Sequence, residues 1–190
     1  MLNIVLFGPP GAGKGTQAQK LIDKYKLNHI STGDIIRAEI KKGSPLGKSV
    51  EGYIARGELA PDALVIELIA DYLESKGKDS GNIFDGFPRT TAQAQQFDKM
   101  LLSHGMKVDM MVSLEVPEQE LVQRLLLRGS TSGRADDADE AVIRNRIRVY
   151  NAQTAVVTDY YALQHKYTAV NGLGTIDDIF ARLCTVIDAH

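Results

Sequence analysis

The sequence predicts an α/β protein in which helices cover both faces of a central parallel sheet. The largely apolar run 2–7 is short enough to be a buried strand and leaves no room for a solvated face. A glycine-rich segment, Gly8–Thr16, follows at once and leads into apolar residues at helical spacing. Strand patterns then alternate with helical patterns to the end of the chain, which is typical of a sheet wrapped on both sides.

The composition indicates an ordinary globular domain. The 190 residues, 44% hydrophobic and 24% charged, suffice for one domain with a substantial core. The 22 basic and 24 acidic residues give a net charge of −2, which argues against a nucleic-acid partner. No apolar run is long enough for a membrane span, and the chain begins with a strand pattern rather than a signal peptide. The single cysteine, Cys184, favours a reducing compartment, so we expect a cytoplasmic monomer without a membrane partner.

The segment Gly8–Thr16, with the sequence GPPGAGKGT, has the strand–loop–helix context of a phosphate-binding loop. Its four glycines leave backbone N–H groups free to converge on an anion, and the helix N-terminus adds to that attraction. Lys14 would supply a positive charge to the β- and γ-phosphates. The hydroxyl that usually follows this lysine comes one place later, at Thr16, after Gly15. A glycine-rich turn with a surface lysine is the alternative, but the flanking elements favour binding of a nucleoside triphosphate.

The first half of the chain continues with a short strand at 28–31 and a helix that includes 35–40. Glycines interrupt short helical pieces up to about Ala60, so we expect an insert of about 31–60 that adds little to the core and moves as a flap. Pro61 opens a helix with apolar residues on one side. The strand 82–85 ends at Asp85, where phosphate-loop proteins place a magnesium-organising carboxylate, although a turn residue before Gly86 would look the same.

The second half is predicted to contain a helix at 91–104, a strand at 108–116, a helix at 118–127, a long helix from about 140, a strand at 167–171 and a closing helix at 175–190. The helix at 118–127 is expected to bury Leu121, Val122, Leu125 and Leu126. The closing helix is expected to bury Ile176, Ile179, Phe180, Leu183 and Ile187. The polar stretch 129–137 has no hydrophobic period, so we predict a loop that forms a short lid at about 129–138. Since no repeat or linker is present, residues 1–190 form one domain.

Six arginines lie beside glycine-rich or loop-adjacent segments at the expected ligand edge of the sheet: Arg37, Arg89, Arg124, Arg128, Arg134 and Arg146. Any single one could simply be a solvated surface residue. Together, around a phosphate loop, they suit phosphoryl transfer, which needs charge neutralisation and in-line positioning more than covalent help. The serines, threonines and four histidines form no pattern of an activated nucleophile, and one cysteine cannot build a structural zinc site.

Further motifs make the sequence resemble the adenylate kinase family. The phosphate loop matches that family, including Gly15 between the lysine and the threonine. Ser31–Asp34 with Arg37 resembles its acceptor-nucleotide signature, and Phe84–Arg89 with Gln93 resembles its most recognisable motif. The resemblance extends to the lid at 133–137, the helix at 146–150 and the turn at 171–174. It therefore covers the length of the chain and implies a phosphate-loop kinase with an insert for the nucleoside monophosphate and a short lid.

The resemblance implies transfer of a phosphoryl group from MgATP to AMP, which gives two ADP. The residues expected at ATP are Gly11, Ala12, Gly13, Lys14, Gly15, Thr16, Arg128 and Gly174. Those expected at AMP are Thr32, Arg37, Glu58, Leu59, Ala60, Gly86, Phe87, Pro88, Arg89, Gln93, Arg134 and Arg146. The catalytic charges would be Lys14, Arg89, Arg124, Arg134 and Arg146. Thr16 and Asp85 would organise magnesium through water.

The sequence departs from the family pattern at two places, which limits the assignment of the family's residue roles to this chain. The lid lacks the long insert of many bacterial members and contains no cysteine, so we expect no zinc. The stretch between Asp137 and Arg146 has one residue more than in some relatives, which leaves Arg144 as an alternative to Arg146. The competing functions are a UMP/CMP kinase of the same fold, against which Thr32 and Gln93 argue, and a nucleotide-dependent switch without a second nucleotide site.

Overall fold

A computed structural model of the protein describes residues 1–75, 80–132 and 134–190. The described strands are β1 (Asn3–Phe7), β2 (Asn28–Ser31), β3 (Asn82–Asp85), β4 (Met110–Glu115) and β5 (Tyr167–Asn171). The helices are α1 (Lys14–Tyr25), α2 (Thr32–Lys42), α3 (Pro45–Ala55), α4 (Asp62–Ser75), α5 (Thr91–Ser103), α6 (Glu118–Ser132), α7 (Glu140–Val149), α8 (Val157–Ala162) and α9 (Ile176–Asp188). The strands form one sheet in the order β2-β3-β1-β4-β5, and every neighbouring pair is parallel. The predicted fold class is confirmed.

Helices cover both faces of the sheet because its central strands are apolar on both sides. In β1, Ile4 and Leu6 belong to one hydrophobic cluster, together with buried residues of α1, α6, α7 and α9. Val5 and Phe7 point into a second cluster, which α2, α3, α4, α5 and α8 complete. The period-two alternation of a strand thus divides one short apolar run between two cores.

The strand order places a crevice at the carboxyl end of β1. The chain adds β2 and β3 on one side of β1 and then crosses to the other side for β4 and β5. In such sheets the connections that leave the central strands diverge to opposite faces, and ligands bind in the gap between them. The phosphate loop leaves β1 at this point, and Asp85 ends the neighbouring strand β3.

The prediction of a loop over 129–137 is wrong in its first half, because α6 continues to Ser132. The hydroxyls of Ser130, Thr131 and Ser132 donate to main-chain carbonyls of the preceding turn. Gly129 also packs tightly, since a Cβ there would lie 2.2 Å from the carbonyl oxygen of Asp137. These contacts continue α6 through residues that have no hydrophobic period. A 3₁₀ turn at Ala135–Asp137 follows. Gly133, the first residue of the proposed lid motif, lies outside the described residues.

Other differences concern side-chain burial and the insert. Leu126 and Ile176, predicted to face the core, are 39% and 52% exposed. The insert contributes Ile36, Val50 and Ala60 to the second hydrophobic cluster, so it adds more to the core than its glycines suggest. A π-helical turn at Tyr150–Thr154 separates α7 from α8. Within the described ranges, none of the helices combines the length and apolar content that would carry it across a bilayer.

Candidate active site

A cleft of about 730 Å³ lies at the carboxyl end of β1, a volume typical of small-molecule sites. Most of the residues singled out from the sequence line it: Gly11, Gly13, Lys14, Gly15, Thr16, Thr32, Arg37, Glu58, Leu59, Ala60, Asp85, Gly86, Pro88, Arg89, Gln93, Arg124, Arg128, Arg134 and Arg146. Three do not. Ala12 and Phe87 are buried in the two hydrophobic clusters, and Gly174 lies outside the residues that line the cleft.

The phosphate loop needs its glycines for two different reasons. Gly8 has φ +135°, and a Cβ there would lie 2.7 Å from the carbonyl oxygen of Leu114, so the loop can only cross β4 closely without a side chain. Gly13 has φ +93° with open space around it, so here the left-handed backbone alone requires glycine. This conformation turns the chain into α1 with its first N–H groups directed at the cleft.

The N-terminus of α1 is left without a side-chain cap. Its N-cap residue is Gly13, and its first turn contains no acidic residue. By contrast α2, α3, α5, α7 and α9 each begin with a serine, threonine or aspartate whose oxygen accepts a main-chain N–H of the first turn. Unsatisfied N–H groups and the positive end of a helix attract anions. The N-terminus of α1 therefore has the properties of an anion-binding site.

The Lys14 side chain hydrogen-bonds to the main chain of the phosphate loop. Its Nζ donates to the carbonyl oxygens of Gly8 at 2.7 Å and Pro9 at 3.0 Å. The pKa of Lys14 is lowered from 10.5 to about 8. Burial is the main cause, the positive charges of Arg89, Arg146 and Arg128 contribute, and Asp85 opposes the shift. The ammonium group thus lies in a site that disfavours positive charge until an anion arrives.

The turn after β3 gathers Thr32 and Arg89 around Gly86. Arg89 Nε donates to the Gly86 carbonyl oxygen at 2.6 Å, and Thr32 Oγ1 donates to the same oxygen at 2.9 Å. A Cβ on Gly86 would lie 3.0 Å from Arg89 Nη2, so only glycine allows this approach. Burial lowers the pKa of Arg89 to about 10, and Arg146 adds to the shift. Arg37, at the rim, forms an ion pair with Asp34.

Three arginines approach the cleft from the lid side and share two buried carboxylates. Arg128 Nε lies 2.6 Å from Asp137 Oδ2, and Arg134 Nε lies 3.5 Å from the same oxygen. Arg146 Nη1 lies 2.9 Å from Asp136 Oδ2 and also pairs with Asp137. Although burial opposes it, the Arg146 and Arg134 guanidinium groups hold the pKa of Asp136 below its usual range. The two carboxylates therefore compensate most, but not all, of the positive charge of the three arginines.

Comparison with known proteins identifies the family of this chain. A family model described as adenylate kinase matches residues 6–166. Curated proteins named adenylate kinase from Bacteroides thetaiotaomicron, Phocaeicola vulgatus and Flavobacterium psychrophilum are 53%, 52% and 50% identical to this chain over 188 residues, with 99% of each chain covered. The chain belongs to the adenylate kinase family.

Within this adenylate kinase fold, the structure separates the two arginines that the sequence left as alternatives. Arg146 lines the cleft, and its side chain is 17% exposed among Asp136 and Asp137. Arg144 is 58% exposed and pairs with Glu140 on the outer surface of α7. Arg124 keeps its place at the cleft through an ion pair with Glu120 and a hydrogen bond to the Gly172 carbonyl.

The insert and the lid side of this adenylate kinase already touch each other. Asn145 Nδ2 donates to the Arg56 carbonyl oxygen at 2.6 Å. A Cβ on Gly57 would lie 2.7 Å from Arg146 Cγ, so the end of the insert is in close contact with α7. The cleft is therefore bounded by three parts of the chain: the phosphate loop, the insert and the lid side.

Sequence reasoning missed the acidic partners of the cleft. Asp136 and Asp137 were noted only as parts of a motif, although both are buried and hold the lid-side arginines. Asp62 follows the Pro61 that opens the predicted helix and has no further signal in the sequence, yet its carboxylate accepts a hydrogen bond from the Gln93 side chain. An acidic pair beside an arginine, in a stretch without hydrophobic period, was the one available signal for Asp136 and Asp137. No local signal points to Asp62, because its partner is distant in sequence.

The cleft also contains oxygen ligands that suit magnesium. Asp85 Oδ2 lies 4.0 Å from the position of a Cβ on Gly15, which puts the carboxylate beside the start of α1, where Thr16 lines the cleft. A carboxylate and a hydroxyl are hard oxygen donors, and Mg²⁺ usually takes few protein ligands and keeps several waters. Among the described residues no group of three or more His, Cys, Asp or Glu side chains could hold a metal. These donors therefore fit a magnesium ion that is bound mainly through phosphates and water.

Proposed function

We propose that this adenylate kinase family member catalyses the reversible transfer of a phosphoryl group between ATP and AMP. A terminal oxygen of the AMP phosphate attacks the γ-phosphorus of ATP in line. The bond from that phosphorus to the bridging oxygen on the β-phosphate breaks, and both products are ADP. Such a transfer depends on positioning and on charge neutralisation around the γ-phosphoryl group.

The observation that carries this proposal is the convergence of positive charge from opposite walls of one cleft. Lys14 comes from the phosphate loop, Arg89 from the turn after β3, and Arg134 and Arg146 from the lid side. Burial lowers the pKa values of Lys14 and Arg89, and the positive charge of Arg146 adds to both shifts. All of these groups line one cleft, so they can act on one ligand. A single bound nucleotide with one phosphate chain would not require charges on all walls of the cleft.

The proposed binding residues divide between the two ends of the cleft. The phosphate loop from Gly11 to Thr16, with Arg128, would hold the ATP phosphates. Thr32, Arg37, residues 58–60, the turn 86–89 and Gln93 would hold AMP. The apolar side chains of Ile36, Ile54 and Val65 also line the cleft. Gly174 remains a candidate contact to the ATP base, although it does not line the cleft in the ligand-free protein.

Closure of two segments would complete the site. The insert of about 31–60 would close over AMP and the lid of about 129–138 over ATP, so that water is excluded from the γ-phosphoryl group. Magnesium, organised through water by Thr16 and Asp85, would neutralise the phosphate oxygens. We propose that the enzyme acts as a cytoplasmic monomer without zinc, on ATP, AMP and ADP.

A panel of nucleoside monophosphates tests the function. The purified protein is assayed with MgATP and AMP, CMP, UMP or GMP, and ADP formation is measured. We expect the highest kcat/KM with AMP. Preference for CMP or UMP would replace the proposal with the pyrimidine kinase, and nucleotide binding without ADP formation from any acceptor would replace it with a nucleotide switch.

A further inference from the structure

The Gln93 side chain is fixed in one orientation before any nucleotide binds. Gln93 is buried at the cleft, and its Oε1 accepts the main-chain N–H of Arg89 at 2.7 Å. Its Nε2 donates to Asp62 Oδ1 at 2.8 Å. A main-chain N–H can only donate and a carboxylate can only accept, so these two partners define which end of the amide is oxygen and which is nitrogen.

Asp62 is itself held in place between α4 and α5. Its second oxygen, Oδ2, accepts the hydroxyl of Thr90 at 2.8 Å. Thr90 is the N-cap of α5, and its Oγ1 also accepts the main-chain N–H of Gln93 at 3.1 Å. The carboxylate is therefore tied to the same helix start that carries Gln93, and the amide cannot rotate without breaking this arrangement.

The fixed amide keeps one donor and one acceptor for a ligand. A carboxamide has two N–H groups and an oxygen with two lone pairs. Arg89 and Asp62 use one of each, and the remaining N–H and lone pair have no partner among the described residues. Because Gln93 lines the cleft, as do the apolar residues Ile36 and Val65, this pair is available to the edge of a base.

We propose that Asp62 is a specificity-determining positioning residue that selects 6-aminopurine over 6-oxopurine monophosphates. A 6-aminopurine presents an exocyclic N–H donor beside a ring-nitrogen acceptor, whereas a 6-oxopurine presents an oxygen acceptor beside a ring N–H donor. The two edges require opposite orientations of the Gln93 amide. Since Asp62 fixes one orientation, a 6-oxopurine meets donor against donor and acceptor against acceptor. This inference rests on the proposed transfer to AMP.

Asp62→Asn is the most specific test. The substitution preserves the shape of the side chain but replaces a group that can only accept hydrogen bonds with one that can accept or donate. An asparagine can accept from or donate to Gln93, and the Thr90 hydroxyl can follow either choice, so both orientations of Gln93 become satisfiable at that end. The Arg89 N–H still favours the original orientation, so the loss is partial. A hydrogen bond to a charged group is worth roughly 1.5–3 kcal/mol, and 1.4 kcal/mol is a factor of ten. We expect the AMP:IMP ratio of kcat/KM to fall about tenfold or more.

The experiment measures kcat/KM for AMP and IMP with MgATP in the wild type, Asp62→Asn and Asp62→Ala, with thermal melting to confirm folding. Asp62→Ala should shift the ratio in the same direction, because the water that replaces the carboxylate can donate or accept. Asp71→Asn, an exposed carboxylate on the same helix, is the matched control and should leave the ratio unchanged.

The outcomes separate this inference from the proposed function. A lower AMP:IMP ratio in both Asp62 variants, with the control unchanged, supports the inference. An unchanged ratio in folded, active Asp62 variants overturns it while the proposed function stands, since a purely structural carboxylate would alter stability or both substrates alike. A wild-type protein that phosphorylates neither AMP nor IMP overturns both.

Discussion

Two sets of positive charges face each other across the cleft, and they are compensated in different ways. The floor pair, Lys14 and Arg89, hydrogen-bonds to main-chain carbonyls, and the pKa values of both groups are lowered to about 8 and about 10, chiefly by burial. The lid-side arginines, Arg128, Arg134 and Arg146, are bound by the buried carboxylates Asp136 and Asp137. The floor pair has little carboxylate compensation, whereas two carboxylates compensate most of the lid-side charge, although burial still lowers the pKa of Arg146.

The difference indicates how binding energy can be divided between the walls. A phosphate that reaches the floor pair relieves an unfavourable burial of charge, so the floor should contribute strongly to affinity and to the transition state. A phosphate that reaches the lid-side arginines must share them with Asp136 and Asp137. The contribution of the lid-side arginines to catalysis should therefore depend on closure of the lid. Asp136 and Asp137 should contribute mainly to the stability of the lid.

The largest expected effect is on the floor. Lys14→Met should lower kcat/KM by roughly 10²–10³ or more, because the transferring phosphoryl group loses a positioned charge. The variant should nevertheless melt no lower than the wild type at pH 7, since a desolvated ammonium is removed. Steady-state kinetics and thermal melting check both statements. Lys24→Met, at an exposed lysine on the same helix paired with Asp188, is the matched control and should retain activity.

The pKa shift of Lys14 defines how the stability difference between the wild type and Lys14→Met changes with pH. The folded pKa of Lys14, about 8, lies below the ordinary value of 10.5, so between these pH values the unfolded chain binds more protons. The contribution of Lys14 to the free energy of unfolding therefore rises with pH across this window. We expect any stability advantage of Lys14→Met to shrink from pH 8 to pH 10.5. An advantage that grew with pH would contradict the assigned shift.

The next effect is on the lid side. Asp137→Asn removes a buried carboxylate that pairs with three arginines, and loss of one partner from a buried pair destabilises by about 3–5 kcal/mol. The arginines keep some exposure, so we expect the low end of that range in urea unfolding. Glu140→Gln, which breaks the exposed pair with Arg144, should change the free energy of unfolding by less than about 1 kcal/mol. Equal effects of the two variants would contradict the claim that Asp137 holds the lid-side arginines.

Smaller kinetic effects should distinguish Arg134, on the lid side, from Arg37, at the rim of the cleft. Arg134→Ala should lower kcat by on the order of 10² with a smaller rise in KM, because the side chain acts on the closed complex. Arg37→Ala should instead raise the KM for AMP about tenfold and leave that for ATP nearly unchanged. Initial-rate kinetics with each substrate varied distinguish the two. Similar changes in both variants would remove the assigned division of labour.

Local patterns predict most of the fold, because strands and amphipathic helices carry their periodicity in short segments. The run before Gly8 and the helix after it are examples. The hydrophobic pattern fails where polar contacts continue a helix. The hydroxyls of 130–132 donate to carbonyls of the preceding turn and Gly129 packs on Asp137, so α6 extends beyond its apolar period. Leu126 and Ile176 fit a helical stripe yet remain exposed, because a stripe does not reveal where its covering partner ends.

The candidate site divides in the same way. The phosphate loop could be predicted because one continuous segment holds the glycines, the lysine and the helix start. The bond between Asp62 and Gln93 could not, since residues 31 positions apart meet only when α4 and α5 pack. The sequence favours Arg146 and keeps Arg144 as an alternative, and the structure places only Arg146 at the cleft. Two residues that are two positions apart on one helix differ in direction by more than half a turn.

Titration of the Lys14 side chain by NMR tests the central claim most directly. Its ε-methylene signal, assigned by comparison with Lys14→Met, is followed with pH in the free protein and with a two-headed ATP–AMP mimic. The account predicts a pKa near 8 in the free protein, as burial and the neighbouring arginines require, and a clear rise on binding as phosphate charges enter the cleft. A pKa close to 10.5 in the free protein, or no rise with the mimic, would contradict it.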